Sequence, residues 1–260
     1  MSKRVVMTDL GVPAGKGKVA IVTGGARGIG WAIVLRLAKL GCHVAFNYLH
    51  SEAQAKSLEA AARKMGVKCT GAQVDIKDFE AVGKWIQETK AEFGGLDILV
   101  NNAGIVKDKP LMLMAKDDWQ DVINTNLNGM FNAARACIVT FMKQKSGRII
   151  NISSVSGVIG LPGQTNYSAT KGAMNAFTKS LAKEVADYGI HVNAIAPGFI
   201  DTEILSHFPE QKRREVIEQI PLQRMGTCED VANCVEFLLS EDANYITGQI
   251  IQVDGGLAMR

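Results

Sequence analysis

The sequence predicts a single α/β domain, in which helices cover both faces of a doubly wound parallel sheet of seven strands. Two observations support this prediction. Short, continuous apolar runs alternate with segments of helical period, as doubly buried strands and their crossover helices do. No repeat, low-complexity tract or Pro/Gly/Ser-rich linker interrupts residues 18–260. The 260-residue chain is 47% hydrophobic and 21% charged, which argues against disorder, collagen and coiled coil.

Seven apolar runs are predicted to be strands: residues 19–22, 43–48, 68–74, 98–101, 148–152, 191–195 and 250–253. A helix is predicted after the first strand, over residues 28–40, because Ile29, Ile33, Leu37 and Leu40 form one apolar stripe. An Ala-rich helix follows the second strand at about residues 51–65, and helical patterns fill the other gaps. Right-handed crossovers then give a doubly wound sheet. Such a sheet binds its ligand beyond the carboxyl ends of its strands.

Net charge and cysteine content indicate which partners and which cellular compartment to expect. Lys and Arg outnumber Asp and Glu by 29 to 26, a net charge of +3, which predicts neither nucleic acid nor a membrane surface as partner. The five cysteines are scattered and include no C-x-x-C pair, so we expect free thiols in a reducing cytoplasm, with no disulfide framework and no metal site. Residues 1–17 contain no apolar signal-peptide core and are predicted to be a flexible leader.

A glycine-rich turn joins the first strand to the first helix. The run Thr23-Gly24-Gly25-Ala26-Arg27-Gly28-Ile29-Gly30 carries glycines at the spacing Gly-x3-Gly-x-Gly. Glycine lets the backbone approach a pyrophosphate closely, and the helix N-terminus favours its negative charge. We therefore expect this turn to bind a dinucleotide through Gly24, Arg27, Gly28, Ile29 and Gly30. An ordinary glycine-rich turn is the alternative.

The end of the second strand indicates which nucleotide is bound. An NAD-preferring site places Asp or Glu there for the ribose hydroxyls, but this strand ends Phe46-Asn47-Tyr48, and no acid occurs before Glu52. No carboxylate would repel a 2′-phosphate at this point, and Arg27 and His50 are candidates to bind one. The sequence therefore favours NADP(H), held in part by Asn47 and Tyr48. Arg27 as a solvated surface charge is the alternative.

Two further strand ends carry polar or small residues. Asp75 and Ile76 follow the third strand, where Asp75 either accepts a hydrogen bond from an adenine amino group or caps the next helix. Asn101-Asn102-Ala103-Gly104 closes the fourth strand, and its small residues would let a nucleotide lie close to the sheet. We expect Asp75, Ile76, Asn102, Ala103 and Gly104 to contact the cofactor, although Asn and Gly would also suit a simple turn.

Candidate acid–base groups lie further along the chain. Tyr167 and Lys171 are four residues apart in a predicted helix and therefore share a face. A free tyrosine titrates near pH ~10, and a neighbouring ammonium lowers its pKa toward useful values. The fifth strand ends in Asn151-Ile152-Ser153-Ser154, where a hydroxyl can donate to a substrate carbonyl. The structural alternatives are an exposed Tyr–Lys pair and a serine that caps a helix or forms a turn.

Together these motifs resemble the short-chain dehydrogenase/reductase family. The glycine turn, Asn-Asn-Ala-Gly, Asn126, Ser154, Tyr167-x3-Lys171 and Pro197-Gly198 occur in that family's order and spacing over about residues 16–260. The resemblance implies a Rossmann fold and a catalytic tetrad of Asn126, Ser154, Tyr167 and Lys171. It makes Tyr167 the proton donor, Ser154 the group that orients the carbonyl, and Lys171 the ligand of the nicotinamide ribose. It also places Pro197, Gly198, Ile200 and Thr202 at the carboxamide end of the cofactor.

Within the family, the sequence is most similar to 3-oxoacyl-[acyl-carrier-protein] reductases of fatty acid biosynthesis, and almost as similar to acetoacetyl-CoA reductases. The resemblance implies NADPH-dependent reduction of a 3-oxoacyl thioester. That group tends to place basic residues at the mouth of the site to dock the acidic carrier protein. Lys145 matches one such position, whereas Asp187 and Tyr188 occupy the other and argue against carrier docking. Residues 201–224 are expected to cover the substrate as a lid.

Two alternatives stay open at this stage. A reductase or dehydrogenase for another ketone or secondary alcohol (cyclic ketone, steroid or sugar) would share every catalytic residue. A nucleotide-binding scaffold without catalysis would be favoured by loss of Tyr167, Lys171 or Ser154, and all three are present. The resemblance also implies a homotetramer, formed through helices at about residues 127–143 and 166–187 and through the last strand.

Overall fold

The structure is a computed structural model that describes residues 15–202 and 209–259. Seven parallel strands form one sheet in the order β3-β2-β1-β4-β5-β6-β7. Their bounds are β1 (Val19–Val22), β2 (His43–Tyr48), β3 (Cys69–Gln73), β4 (Ile98–Asn101), β5 (Gly147–Ile152), β6 (Ile190–Pro197) and β7 (Ile250–Val253). The chain builds outward from β1 to one edge, returns through β4 and continues to the other edge. The predicted doubly wound parallel sheet is confirmed.

Nine α-helices connect or flank the strands within the described residues: α1 (Gly28–Lys39), α2 (Glu52–Arg63), α3 (Phe79–Phe93), α4 (Lys116–Val122), α5 (Gly129–Gln144), α6 (Ser156–Ile159), α7 (Thr165–Val185), α8 (Glu210–Glu218) and α9 (Cys228–Leu239). A 3-10 helix covers Leu111–Leu113, and a π-helix over Ile123–Asn128 leads directly into α5. The predicted helix over residues 127–143 therefore starts two residues too early, because the preceding turn is wider than an α-helical turn.

Strand pairing sets the bounds that the apolar runs did not. Strands β1, β2, β4 and β7 match the predicted bounds, whereas β5 and β6 are longer and β3 is one residue shorter at each end. Gly147 pairs with Ile190 at one end, and Pro197 pairs with Val253 at the other. Pro197 has no N–H to donate, and it lies beyond Ile195, the last residue of β6 that is paired with β5.

Alternate residues of the central strand enter the two halves of the core. Ala20 and Val22 face a cluster that includes Ile33 and Leu37 of α1. Val19 and Ile21 face the opposite cluster, with Ile86 of α3 and Phe141 of α5. Because both faces are buried, the strands are continuous apolar runs.

Some predictions fall partly outside the described residues. Residues 1–14 of the predicted leader lie there, while the Gly17 amide donates to the Gly41 carbonyl at 3.1 Å and so joins the chain to the end of α1. Residues 203–208 of the predicted lid also lie there, and α8 covers part of the rest. All five cysteines are free. Within the described residues, no helix has the length and apolar character that crossing a membrane requires.

Candidate active site

A cavity of about 590 Å³ opens at the carboxyl ends of the strands. Parallel strands end at one edge of the sheet, so the polar strand ends of the sequence converge there. Most of the predicted site residues line it: Gly24, Arg27, Gly28, Ile29, Gly30, Asn47, Tyr48, Asp75, Ile76, Asn102, Ala103, Gly104, Ser154, Tyr167, Lys171, Pro197, Gly198, Ile200 and Thr202. Asn126 does not line the cavity; it lies buried behind the wall.

The glycine turn is fixed against the end of β4. Asn102 donates through Nδ2 to the carbonyls of Thr23 and Gly24, at 3.0 Å each. Thr23 Oγ1 accepts the amides of Asn102 and Ala103. Gly24 has φ +64°, and a Cβ there would lie 2.9 Å from the Ala103 Cα. A side chain at Gly24 is therefore excluded both by the backbone conformation and by the neighbouring strand.

The N-terminus of α1 provides amide groups for an anion. The first turn of α1 contains no acidic residue, and no side chain of the described residues caps it. Gly28 has φ +52°, and a Cβ built there meets only Thr202 Cγ2 within 4 Å, at 3.8 Å. Backbone N–H groups in this open turn suit a pyrophosphate. Arg27 is exposed beside them, and its side chain makes no hydrogen bond or ion pair with the described residues.

Asn47 lines the cavity and also joins two strand ends. Its Oδ1 accepts the Gly24 amide at 2.9 Å, and its Nδ2 donates to the Val74 carbonyl at 2.8 Å. Asn47 is 3% exposed. Its side chain therefore connects β2 to the glycine turn and to the end of β3. Tyr48 and His50 line the cavity next to it.

Asp75 forms a local turn, and Asp78, three residues later, caps α3. Asp75 Oδ1 accepts the Lys77 amide at 2.9 Å, while Asp78 caps α3 by accepting from the Ala81 amide. The alternative that Asp75 caps this helix is therefore excluded. Ile76 is buried, and its carbonyl accepts from Asn132 Nδ2 at 2.9 Å.

Lys171 and Asn126 are held by backbone groups. Lys171 Nζ donates to the Ile152 carbonyl at 2.7 Å and lies 5.5 Å from the centre of the Tyr167 ring. Asn126 Oδ1 accepts the Ile105 amide at 2.8 Å, and its Nδ2 donates to the Ile105 carbonyl at 3.0 Å. Its location in the π-helix, against Ile105, means that Asn126 shapes the loop after β4 from behind.

Burial governs the pKa of both titratable groups of the tetrad. Burial raises the pKa of Tyr167 to about 12; hydrogen bonding to the Ser154 side chain opposes this rise, and the negative charge of Asp108 adds to it. Burial lowers the pKa of Lys171 to about 8. Burial therefore outweighs the expected lowering of the tyrosine pKa by Lys171 in this structure. The Lys171 ammonium donates to the Ile152 carbonyl, and it lies 5.5 Å from the centre of the Tyr167 ring.

A hydrogen-bonded chain next to Tyr167 was not predicted. Ser154 Oγ lies 3.2 Å from Ser156 Oγ, Ser156 Oγ donates to Gln164 Oε1 at 2.7 Å, and Gln164 Nε2 donates to Asp108 Oδ2 at 2.7 Å. All four side chains line the cavity. The nearest sequence signal was Gln164 within the run Gly163-Gln-Thr-Asn-Tyr167, but no periodicity connects it to Asp108, 56 residues away.

The residues considered for carrier docking lie away from this cavity. Lys145 ends α5 just before β5, and Tyr188 lies just before β6. A Cβ built on Gly189 would lie 2.8 Å from the Lys145 carbonyl oxygen, so the two segments are neighbours at the amino ends of their strands. The cavity is at the carboxyl ends. The expectation that Lys145, Asp187 and Tyr188 flank the mouth is therefore wrong within one chain.

Comparisons with known proteins agree with this geometry. A family model described as enoyl-(acyl carrier protein) reductase matches residues 24–258. The 3-oxoacyl-[acyl-carrier-protein] reductase FabG of Staphylococcus aureus (strain Mu50) is 46% identical over 242 residues, covering 93% of this chain and 98% of that protein. The proteins of the same name from Aquifex aeolicus and Chlamydia muridarum are 46% and 43% identical, and the matches cover 93% of this chain and 98% and 97% of theirs.

Proposed function

This chain belongs to the short-chain dehydrogenase/reductase family, and we propose that it reduces a 3-oxoacyl thioester, carried by acyl-carrier protein or CoA, to the 3-hydroxyacyl thioester. One observation carries the proposal. Ser154, Tyr167 and Lys171 line the same cavity as the glycine turn and the open N-terminus of α1. A proton donor and a nucleotide site therefore face one space, as carbonyl reduction requires. The names of the relatives supply the class of substrate.

A nicotinamide dinucleotide fits the groups that the cavity presents. The amides at the start of α1 suit its pyrophosphate, and Lys171 suits its ribose hydroxyls. NADPH is the proposed form, because exposed Arg27 lies beside the turn and no acid ends β2. When bound, the reduced cofactor supplies the hydride that the carbonyl carbon receives.

The side chains of the cavity handle the proton and the carbonyl oxygen. The raised pKa of Tyr167 keeps its phenol protonated at neutral pH, so Tyr167 is the proton donor to the oxygen that becomes a hydroxyl. Ser154 donates a hydrogen bond to the same oxygen as negative charge develops on it. Lys171 holds its ammonium within the same space, and apolar Val106, Leu161 and Phe199 line the rest of the cavity, which suits an acyl chain.

Steady-state oxidation of NADPH tests this function, with NADH alongside. Acetoacetyl-CoA and a 3-oxoacyl carrier protein are compared with cyclic, steroid and sugar ketones, and Tyr167→Phe serves as the blank. We expect rapid turnover of thioesters only, lost in the blank. Turnover confined to the other ketones would overturn the substrate, and equal rates with wild type and blank would overturn the role of Tyr167.

Assembly as a homotetramer is proposed on apolar residues that one chain leaves uncovered. Phe131 and Val139 of α5 are 49% and 45% exposed, and Met259, near the C-terminus, is 70% exposed. Strand β7 also forms an edge of the sheet. Light scattering after gel filtration tests this: we expect a tetramer, and a smaller species for Phe131→Glu. A monomeric wild type would refute it.

A reducing, cytoplasmic location is proposed because the five thiols are free.

A further inference from the structure

We infer that Asp108, Gln164 and Ser156 are positioning residues that hold the hydroxyl of Ser154 in place for the proposed ketone reduction. The inference rests on that proposed reaction. Four side chains contact one another in the order Ser154–Ser156–Gln164–Asp108, and we call this set the serine chain.

Chemistry fixes the direction of every bond in the serine chain. An ionised carboxylate only accepts hydrogen bonds, so Gln164 must turn its NH2 group toward Asp108. The amide oxygen of Gln164 then faces Ser156, whose hydroxyl must donate to it. The proton of Ser156 is therefore used, and the contact between the two serine oxygens is possible only if Ser154 donates. Asp108 thus determines the orientation of a hydroxyl three contacts away.

The distances grade from tight to loose toward the substrate. The two contacts at Gln164 are 2.7 Å each, whereas Ser154 Oγ and Ser156 Oγ are 3.2 Å apart. The Ser156 amide also donates to Ser154 Oγ at 3.1 Å. Because the contact between the two serine oxygens is long, Ser154 can redirect its proton to a ketone oxygen at little cost. The hydrogen bond from the Ser156 amide meanwhile keeps Ser154 Oγ in place. The serine chain therefore orients Ser154 without competing strongly with the substrate.

The surrounding backbone makes this arrangement specific. Gln164 is the residue before α7, but its side chain makes no capping bond to that helix and serves the serine chain instead. The loops that carry Asp108 and Gln164 are joined on both sides: the Lys109 amide donates to the Gly163 carbonyl at 2.8 Å, and Asn166 Nδ2 donates to the Lys107 carbonyl at 3.0 Å. Ser156 is 4% exposed, so loss of its hydroxyl partner leaves a polar group without solvent.

A double-mutant cycle tests the inference. Asp108→Leu removes the acceptor, Ser156→Ala removes the middle link, and both are measured singly and together for kcat, for KM and for NADPH affinity by fluorescence. We expect each single variant to lower kcat about tenfold, with NADPH affinity unchanged. The kcat of the double variant should be no lower than that of the slower single variant. Either single substitution already breaks the serine chain, so the second has no further effect on Ser154. Asp108→Asn keeps an acceptor oxygen and should retain kcat within about threefold.

The matched control is Asp117→Asn, which removes the same charge from an exposed position of α4 outside the serine chain and should leave kcat unchanged. Gln164→Leu replaces Asp108→Leu in the cycle if the latter does not fold. The inference would be overturned if the fold-losses in kcat of the two single variants multiply in the double variant, or if kcat is unchanged in both single variants. Either result would leave the proposed reaction in place. A wild type that reduces no ketone would overturn both.

Discussion

The buried ammonium of Lys171 leads to a stability prediction that can be worked from the structure. Lys171 is 3% exposed, and burial lowers its pKa from 10.5 to about 8. At about 1.4 kcal/mol per pH unit, this corresponds to a cost of roughly 3 kcal/mol for keeping the group charged in the folded state. Met has a similar length and no charge. Lys171→Met should therefore remove that cost while abolishing ketone reduction.

The sign of the effect follows from which state binds the proton. Below pH 8 the lysine is charged in both states, so the folded wild type carries the whole cost. Between pH 8 and 10.5 the folded state has released the proton and the unfolded state still holds it. The free energy of unfolding of the wild type therefore rises with pH relative to that of the variant. The variant also loses the bond to the Ile152 carbonyl, about 1–3 kcal/mol, which the neutral amine still donates above pH 8.

Urea unfolding of both proteins from pH 7 to pH 10 measures this difference. We expect the stability of Lys171→Met minus that of the wild type to fall by roughly 2–3 kcal/mol over the range. Lys179→Met, on an exposed position of the same helix, is the control and should give one difference at every pH. A difference for Lys171→Met that is equally constant would refute the reasoning about its burial.

Three further predictions concern single side chains: Arg27 at the glycine turn, Asn47 at the end of β2 and Lys145 at the end of α5. Arg27→Ala should raise the KM for NADPH about 10–100-fold and the KM for NADH less than about threefold, because only NADPH has a 2′-phosphate for the guanidinium. Asn47→Ala should lower the free energy of unfolding by about 2 kcal/mol in urea, since the Gly24 amide and the Val74 carbonyl lose their partner. Lys145→Gly should raise the thermal and urea stability by about 0.5–1 kcal/mol, because Lys145 has φ +52° at the end of α5.

Each of these three substitutions has a control substitution elsewhere in the same protein. Lys64→Ala, at the exposed end of α2, should change neither KM, and equal losses with both nucleotides in Arg27→Ala would contradict a phosphate role. Gln73→Ala removes one exposed contact on β3 and should cost well under 1 kcal/mol; an equal cost for Asn47→Ala would contradict its bridging role. Lys143→Gly, inside α5, should lower stability by up to about 1 kcal/mol, whereas a similar loss in Lys145→Gly would contradict the backbone argument.

Local patterns in the sequence were enough to predict much of the fold. Short apolar runs predicted β1, β2, β4 and β7 with their observed bounds. The central strands β1 and β4 are buried at every residue, so their runs are continuous and do not alternate. The glycine turn was predictable for a similar reason. The positive φ of Gly24 and Gly28 is a local requirement that only glycine meets easily. Tyr167 and Lys171 lie four residues apart on one helix, so their proximity also follows from the sequence.

Tertiary structure decided the parts that depend on pairing across long separations. Asn47 and Gly24 are 23 residues apart, and Asp108 and Gln164 are 56 apart, so no spacing rule connects either pair. The order of the strands and the placement of Lys145 at the edge opposite the cavity are likewise set by the path of the chain. A side chain's free donors and acceptors are known only once its neighbours are placed. This is why only the structure shows that Asn47 joins the glycine turn to the end of β3, and that Lys171 Nζ donates to the Ile152 carbonyl.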